Sequence, residues 1–111
     1  MKSNAPLHLK PATKRWFCRV LAEFELEEHH RRLLQLAAEA WDRGQAAREA
    51  IAVGGLTYDD RFGAPRARPE IAIERDSRIG FSRLVRELDL DVGMPAGDEA
   101  ERPPALRSIR R

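Results

Sequence analysis

Three segments of the chain repeat apolar residues at the spacing of an α-helix, and proline or glycine marks their ends. The first follows Pro11, which a first helical turn tolerates because the missing N–H would be unpaired there. Its apolar stripe at positions i, i+3, i+4 and i+7 is formed by Phe17, Val20, Leu21 and Phe24. This pattern predicts a helix over about residues 11–26.

Two longer repeats follow. The second covers about residues 27–53 and ends at a pair of glycines, a common helix stop. Its apolar residues occupy more than one face, so the helix needs more than one neighbour, which indicates self-association. The third begins at Pro69 and covers about residues 69–90, where the small residues Ser77 and Gly80 would let another helix approach closely.

The repeats predict an all-α fold of three main helices in a single domain over residues 11–91. The flanking segments lack periodicity, so we expect a flexible basic arm at 1–10 and a disordered arginine-rich tail at 92–111. Residues 55–68 are rich in glycine and proline, and we expect an ordered connector that is extended or hairpin-like. The residues that define this connector are Leu56, Tyr58, Phe62, Gly63 and Pro69.

The distribution of charge along the chain is more informative than the net charge. The net charge is only +2, which does not by itself indicate nucleic-acid binding. Residues 1–22 and 102–111, however, carry lysines and arginines without any acidic residue. The single cysteine excludes an intramolecular disulfide. No apolar run is long enough to cross a membrane, so we expect a cytoplasmic protein.

The residues with catalytic or metal-binding chemistry do not form a recognisable active site. Glu27 and His30 have the spacing of half a di-iron motif, but a second copy is missing. Cys18 has no histidine at the spacing of a catalytic pair, and Asp59-Asp60 is typical of charged turn residues. We therefore expect no enzyme activity, no metal and no cofactor.

The order of these elements resembles a known family. The run "GLTYDDRFGAPRARPEIAIERDSRIGFSRLVRELDLD" is similar to the C-terminal signature of phage terminase small subunits. In that signature a helix ends at glycine, a short segment carries an aromatic residue and a turn, and a proline opens a helix ending in a Glu-Leu-x-Leu box. Here the box is Glu87 to Leu90, with Asp89 where the family often has glycine. The upstream run "WFCRVLAEFELEEHHRRLLQLAAEAWDRGQAAREAI" is similar to the two N-terminal helices, so the resemblance covers about residues 7–91.

The resemblance implies a non-catalytic phage or prophage subunit that forms a homo-oligomeric ring. Its implied partners are viral double-stranded DNA and the large terminase subunit, which carries the ATPase and nuclease. The basic segments indicate where DNA would bind, first at Lys10, Lys14, Arg15 and Arg19, and second at Arg107, Arg110 and Arg111. The expected contacts between copies are Leu36, Ala40, Ala47, Ile73, Phe81, Leu84 and Leu88.

Two alternatives to a terminase subunit remain open at the level of the sequence. A small helical transcriptional regulator would also bind DNA, but as a dimer on a palindromic site. The segment around "ELEEHHR" lacks the glycine turn usual in a helix-turn-helix, and the second helix is long for a recognition helix. A protein–protein adaptor would use the same apolar faces without any DNA contact.

Overall fold

The computed structural model describes residues 5–90 and the backbone of residues 109–110. The described part is mostly helical, as the periodicity predicts, and carries short antiparallel strand pairs in addition. In chain order the elements are α1 (Pro11–Glu23), β1 (Phe24–Glu25), α2 (Glu28–Gly54), β2 (Thr57–Asp59), β3 (Pro65–Ala67), α3 (Pro69–Leu88) and β4 (Ile109–Arg110).

Helices α2 and α3 pack against each other as an antiparallel pair, and small residues permit the close approach. Gly44 lies opposite Ser77, where a Cβ atom added to the glycine would come within 3.3 Å of the serine Cβ. The Arg43 Nε donates a hydrogen bond to the Ser77 Oγ at 3.2 Å across the same crossing. Arg48 and Glu74 form an ion pair one turn further along. The expectation that Ser77 admits another helix is confirmed, whereas an added Cβ at Gly80 would meet no atom within 4 Å.

Helix α1 packs on the first half of α2 and completes the core. Phe17 and Val20 of α1 are buried together with Phe24, so three of the four predicted stripe residues lie inside. They contact a cluster that the other two helices supply through Leu34, Ala38 and Leu88. Of the second apolar face of α2, Leu34 and Ala38 are therefore covered within the same subunit, while Leu36 remains exposed. The apolar pattern does not distinguish neighbours within a chain from neighbours between chains, so self-association stays a prediction.

The helix ends follow from local chemistry. Gly55 has φ 84°, a conformation that glycine adopts at little cost, and its N–H donates to the Ile51 carbonyl at 2.7 Å. At the end of α3 Asp89 has φ 54°, the left-handed conformation that glycine usually supplies, and its N–H donates to the Arg86 carbonyl. Helix α3 therefore ends in the left-handed conformation at Asp89, as it would with a glycine at this position.

The connector between α2 and α3 is a β-hairpin, which agrees with the prediction for residues 55–68. Strands β2 and β3 pair antiparallel, with Tyr58 opposite Arg66. Arg68 closes the hairpin base, because its Nε donates to the Gly54 carbonyl at 2.9 Å and its backbone N–H to the Leu56 carbonyl at 3.0 Å. A second strand pair joins β1 and β4, with Phe24 opposite Arg110 in the antiparallel register.

Two predictions about the ends of the chain need correction. Residues 5–10 are not a flexible arm, since Ala5 and Leu9 are buried against α1 and α2. Helix α1 ends at Glu23 rather than at 26, because Phe24 and Glu25 pair as β1 instead of continuing the helix. The predicted disorder of 92–111 lies outside the described residues, except that the backbone of 109–110 is ordered in β4.

Candidate nucleic-acid interface and aromatic groove

The cations of α1 form a basic face, defined here as Lys14, Arg15 and Arg19. Thr13, Phe17 and Val20 are the buried residues of the helix and face α2. Positions 15 and 19 are separated by four residues and so share a face, on the side of the helix away from those buried residues. Arg15 and Arg19 are exposed, and Lys14 at the edge of the face is half-buried. The helical period therefore places two guanidinium groups side by side in solvent.

The basic face lacks carboxylate partners in the part of the chain that the structure describes. Within residues 5–90 none of its three cations forms an ion pair, and α1 carries no acidic residue before Glu23. Arginines of other elements are paired with carboxylates, namely Arg32, Arg48, Arg66, Arg75 and Arg78. The positive charge of α1 is thus available to an anionic partner, whereas much of the positive charge elsewhere is already balanced locally.

A carboxylate of α2 fixes the position of α1. The Asp42 Oδ2 accepts a hydrogen bond from the Lys10 backbone N–H at 2.8 Å, and its Oδ1 accepts one from the Thr13 hydroxyl. Beside them His8 Nε2 contacts the Glu39 Oε2 at 2.8 Å. Lys10 is thereby held at the start of α1 and is exposed. No local sequence motif indicates this role of Asp42, since its partners lie about thirty positions earlier in the chain.

Three aromatic rings from three helices meet beside this anchor. The ring centroids of Trp16 and Phe81 are 5.8 Å apart, and those of Trp41 and Phe81 are 5.0 Å apart, both pairs being tilted. Together with Ala12 and Thr13 these rings line an open groove of about 370 Å³, the aromatic groove below. Its wall is mainly apolar, and Trp41 remains exposed there. Apolar grooves of this kind bind a partner's apolar side chain or a small ligand.

The hairpin tip, residues 60–64, is organised by one aspartate. The Asp60 Oδ1 accepts from the backbone N–H groups of Phe62 (2.8 Å) and Ala64 (3.0 Å), and its Oδ2 accepts from the Arg66 Nε (3.0 Å). These contacts, led by the Ala64 N–H, lower the pKa of the Asp60 carboxyl. Gly63 supplies the positive φ of 79° that the turn needs. Asp60 is thus the turn residue that the sequence indicates, and Asp59 takes no part in this network.

The apolar side chains of the connector are exposed rather than packed on the helices of their own subunit. Leu56, Tyr58 and Phe62 all lie in solvent, with Phe62 79% exposed. The Arg61 guanidinium lies 4.8 Å above the centroid of the Phe62 ring. The hairpin therefore presents an apolar and cationic surface, and Pro69 opens α3 immediately after it.

The structure separates the predicted interface residues into two groups. Ala40, Ala47 and Leu88 are buried inside the subunit, so the prediction that they contact another copy is wrong. These residues follow the apolar repeat of their helices, but the repeated side chains face the neighbouring helix of the same chain. Leu36 and Ile73 are exposed, while Phe81 and Leu84 are half-buried.

Of the DNA-binding residues predicted in the tail, Arg107 and Arg111 lie outside the described residues, and of Arg110 only the backbone is described.

The remaining candidates do not assemble a reactive site. Among the described residues no three histidine, cysteine or acidic side chains are grouped to hold a metal ion. Cys18 is half-buried and packs against the core. His30 is buried, and neither ring nitrogen has a hydrogen-bond partner within residues 5–90. Burial, helped by the neighbouring His29, lowers the pKa of His30.

Comparison with known proteins finds no relative of the chain. No protein-family model, no curated protein and no solved structure matches the chain. Within the described residues, no helix combines the length and apolarity that crossing a membrane requires.

Proposed function

We propose that the chain is a terminase small subunit of a phage or prophage, a non-catalytic, homo-oligomeric adaptor that binds viral double-stranded DNA. In this role it presents the DNA to the large terminase subunit for packaging. The sequence resemblance over about residues 7–91 supports the family, and the helical fold with an ordered connector is compatible with it.

The observation that carries DNA contact is the basic face of α1, whose cations form no ion pair within residues 5–90 and of which Arg15 and Arg19 are exposed. Binding of phosphates by lysine and arginine releases condensed counterions, so it requires cations that protein carboxylates have not already neutralised. Arg15 and Arg19 meet this requirement among the described residues, and Asp42 holds their helix in place through Lys10 and Thr13. In a homo-oligomer each copy repeats the face, so that weak individual contacts add up along the DNA.

A salt titration with the double variant Arg15→Glu/Arg19→Glu tests this function. We expect binding to a generic DNA duplex to weaken by about tenfold or more at 0.1 M salt. The slope of log K against log salt should also become shallower, by about 0.9 for each phosphate that the variant no longer neutralises. The matched control, Arg75→Glu/Arg83→Glu, makes the same charge change on exposed positions of α3. Binding by Arg15→Glu/Arg19→Glu as tight as that of the unmodified protein would exclude α1 as the DNA-contacting element, and equal weakening in the two variants would show that the loss follows the net charge.

A protein–protein adaptor is the second candidate, and the exposed apolar surface of the hairpin favours it. The same titration separates the two functions. An adaptor without DNA contact would leave the duplex unbound at low salt in the unmodified protein, where electrostatic binding is strongest. A transcriptional regulator would instead bind as a dimer, which the measured number of subunits per complex distinguishes.

A further inference from the structure

We infer that the hairpin tip of one copy inserts Phe62 into the aromatic groove of a second copy. The contact joins two different surfaces of identical chains, so it is a head-to-tail interface. This inference rests on the homo-oligomeric part of the proposed function and is independent of DNA binding. It names the surfaces through which the copies meet, and of the contact residues that the sequence indicates only Phe81 belongs to them.

The hairpin tip has the properties of an inserting element. Phe62 is 79% exposed, and Leu56 and Tyr58 add apolar surface on the same hairpin. Asp60 holds the backbone at Phe62 and Ala64 through hydrogen bonds, so the tip is ordered before any partner arrives. Docking of an ordered element loses less conformational entropy than docking of a flexible loop. An exposed aromatic side chain on a rigid turn is therefore an efficient anchor.

The aromatic groove has the properties of a receptor. Its volume of about 370 Å³ is at the lower end of the size of pockets that bind small ligands, which suits one aromatic side chain. Tilted rings of Trp16, Trp41 and Phe81 already form its walls at centroid distances of 5.0–5.8 Å. A fourth ring can add edge-to-face contacts with these walls, each favourable beyond the apolar area that it buries.

Charge complementarity selects this occupant. The Arg61 guanidinium accompanies the Phe62 ring at 4.8 Å and forms no ion pair with a carboxylate within residues 5–90. Asp42 does not line the groove but accepts a hydrogen bond from the hydroxyl of its wall residue Thr13. Its other donor is the uncharged Lys10 N–H, and it has no cationic partner in the described part. Docking brings this cation towards an unbalanced carboxylate and towards indole faces that attract cations.

The hairpin cannot fill the groove of its own subunit. Gly54 lies thirteen positions after Trp41 on α2, which corresponds to about 20 Å of helix, and the hairpin lies beyond that end. Arg68 and Asp60 hold the hairpin in its present conformation. A second copy can present its hairpin to the groove without any change of fold. Repetition of the contact then builds a ring or an open chain.

Two single variants disable the two surfaces without removing core residues. Phe62→Ser removes the exposed ring, and Ala12→Phe fills the groove from its exposed rim. In sedimentation velocity over a concentration series we expect the unmodified protein to self-associate, and each variant to raise the dissociation constant by about tenfold or more. Val53→Ser is the matched control, because Val53 is 91% exposed at the end of α2 but lies outside the hairpin. Association of Phe62→Ser like the unmodified protein would overturn the proposal.

The decisive experiment mixes the two variants. The Ala12→Phe chain keeps an intact hairpin and the Phe62→Ser chain keeps an intact groove, so the mixture should form 1:1 dimers and nothing larger. A mixture that remains monomeric, although the unmodified protein associates, would overturn the proposal while leaving the homo-oligomer intact. If the unmodified protein is monomeric throughout, both the docking and the homo-oligomeric function fail, and the DNA titration still reports on DNA contact separately.

Tryptophan fluorescence reports on the groove directly. Trp16 and Trp41 are the only tryptophans of the sequence, and both line the groove. Occupation by a second copy removes water from the indoles, so their emission should shift to the red on dilution of the unmodified protein. The Phe62→Ser variant should show the dilute-state emission at every concentration. A concentration-dependent shift of the same size in that variant would exclude Phe62 as the occupant.

Discussion

At the scale of single residues, two glycines within helices have opposite structural roles. Gly44 lies at the α2–α3 crossing, and a Cβ there would come within 3.3 Å of the Ser77 Cβ. Gly80 belongs to the other helix of the pair, and a Cβ there would meet no atom within 4 Å. A Cβ atom at position 44 would therefore require Ser77 to move by a few tenths of an ångström, whereas Gly80 costs the helix conformational entropy without a compensating contact in the described residues.

We predict that Gly44→Leu destabilises the protein and that Gly80→Ala does not. The leucine would separate the helix pair or shift its backbone, at a cost of about 1–3 kcal/mol in the free energy of unfolding. The alanine at position 80 should stabilise by about 0.5–1 kcal/mol through its higher helix propensity. Urea denaturation measures both. A stable Gly44→Leu variant would contradict the close crossing.

A second residue-scale prediction concerns pH and His30. Burial and the nearby His29 lower the pKa of His30 in the folded protein, while in the unfolded chain it has the ordinary value of 6.5. Between these two values the unfolded chain binds more protons, so stability is complete above pH 6.5 and is lost as the pH falls below it. The loss should not exceed about 1.4 kcal/mol per pH unit for one proton.

Unfolding measured between pH 7.5 and 5.5 checks this expectation. His30→Leu should flatten the pH dependence, because it removes the buried titrating group. His8→Gln serves as the control, since His8 is exposed and contacts Glu39 at the other end of α1. An unchanged slope in His30→Leu would show that a different group causes the pH dependence.

At the scale of elements, the β-hairpin depends on hydrogen bonds to one side chain rather than on burial. The residues of β2 and β3 are exposed, so apolar packing contributes little to the pairing. Asp60 instead accepts from two backbone N–H groups in the turn and from Arg66 on the following strand. An aspartate that satisfies backbone donors two and four residues ahead fixes the turn, and with it the strand register.

We predict that Asp60→Ala releases the hairpin while the helices remain folded. Removal of the acceptor leaves the turn N–H groups to solvent, so their hydrogen exchange should accelerate and trypsin should cleave faster after Arg61. Asp59→Ala is the matched control, because the neighbouring side chain has no part in the turn network. Because folding lowers the pKa of Asp60, the stabilisation from its carboxylate is complete above pH 3.8, declines as the pH falls below that value and is lost as the pH falls through the folded pKa. Equal protection in both variants would contradict this role.

At the scale of the whole molecule, an antiparallel helix pair carries α1 as an added layer. The apolar cluster around Phe17 and Leu34 holds the layer, and Asp42 fixes its start through Lys10 and Thr13. This arrangement sets the direction in which the basic face points. It also forms one wall of the aromatic groove, so both proposed surfaces depend on the same attachment.

We predict that Asp42→Ala loosens α1 while the α2–α3 pair remains intact. The buried Thr13 hydroxyl would be left without its acceptor, which costs about 1–3 kcal/mol. Hydrogen exchange should show that α1 becomes unprotected before α2 and α3. Glu49→Ala on an exposed position of α2 is the control and should leave α1 protected. Simultaneous exchange in all three helices would mean that the molecule opens as one unit.

The sequence by itself determined the helices and, except at the end of α1, the places where they stop. The apolar period of 3.6 residues, the prolines at 11 and 69 and the glycine pair at 54–55 act on the backbone within a few residues. The predicted bounds of 27–53 and 69–90 are therefore close to those observed for α2 and α3. The prediction for the end of α1 was wrong, because residues 24–25 pair with β4, about 85 positions later, instead of forming the last turn of the helix.

Only the tertiary structure decided which surfaces remain available. Ala40 and Leu88 have the pattern of interface residues, yet they are buried inside the subunit, and the connector's Phe62 is exposed. The aromatic groove needs three helices, and Asp42 finds its partners about thirty positions away. The physical reason is that a local pattern states which side chains avoid water but not which neighbour covers them. Contacts between segments that are distant in the sequence determine which neighbour covers a side chain, and no spacing of residues along the chain indicates those contacts.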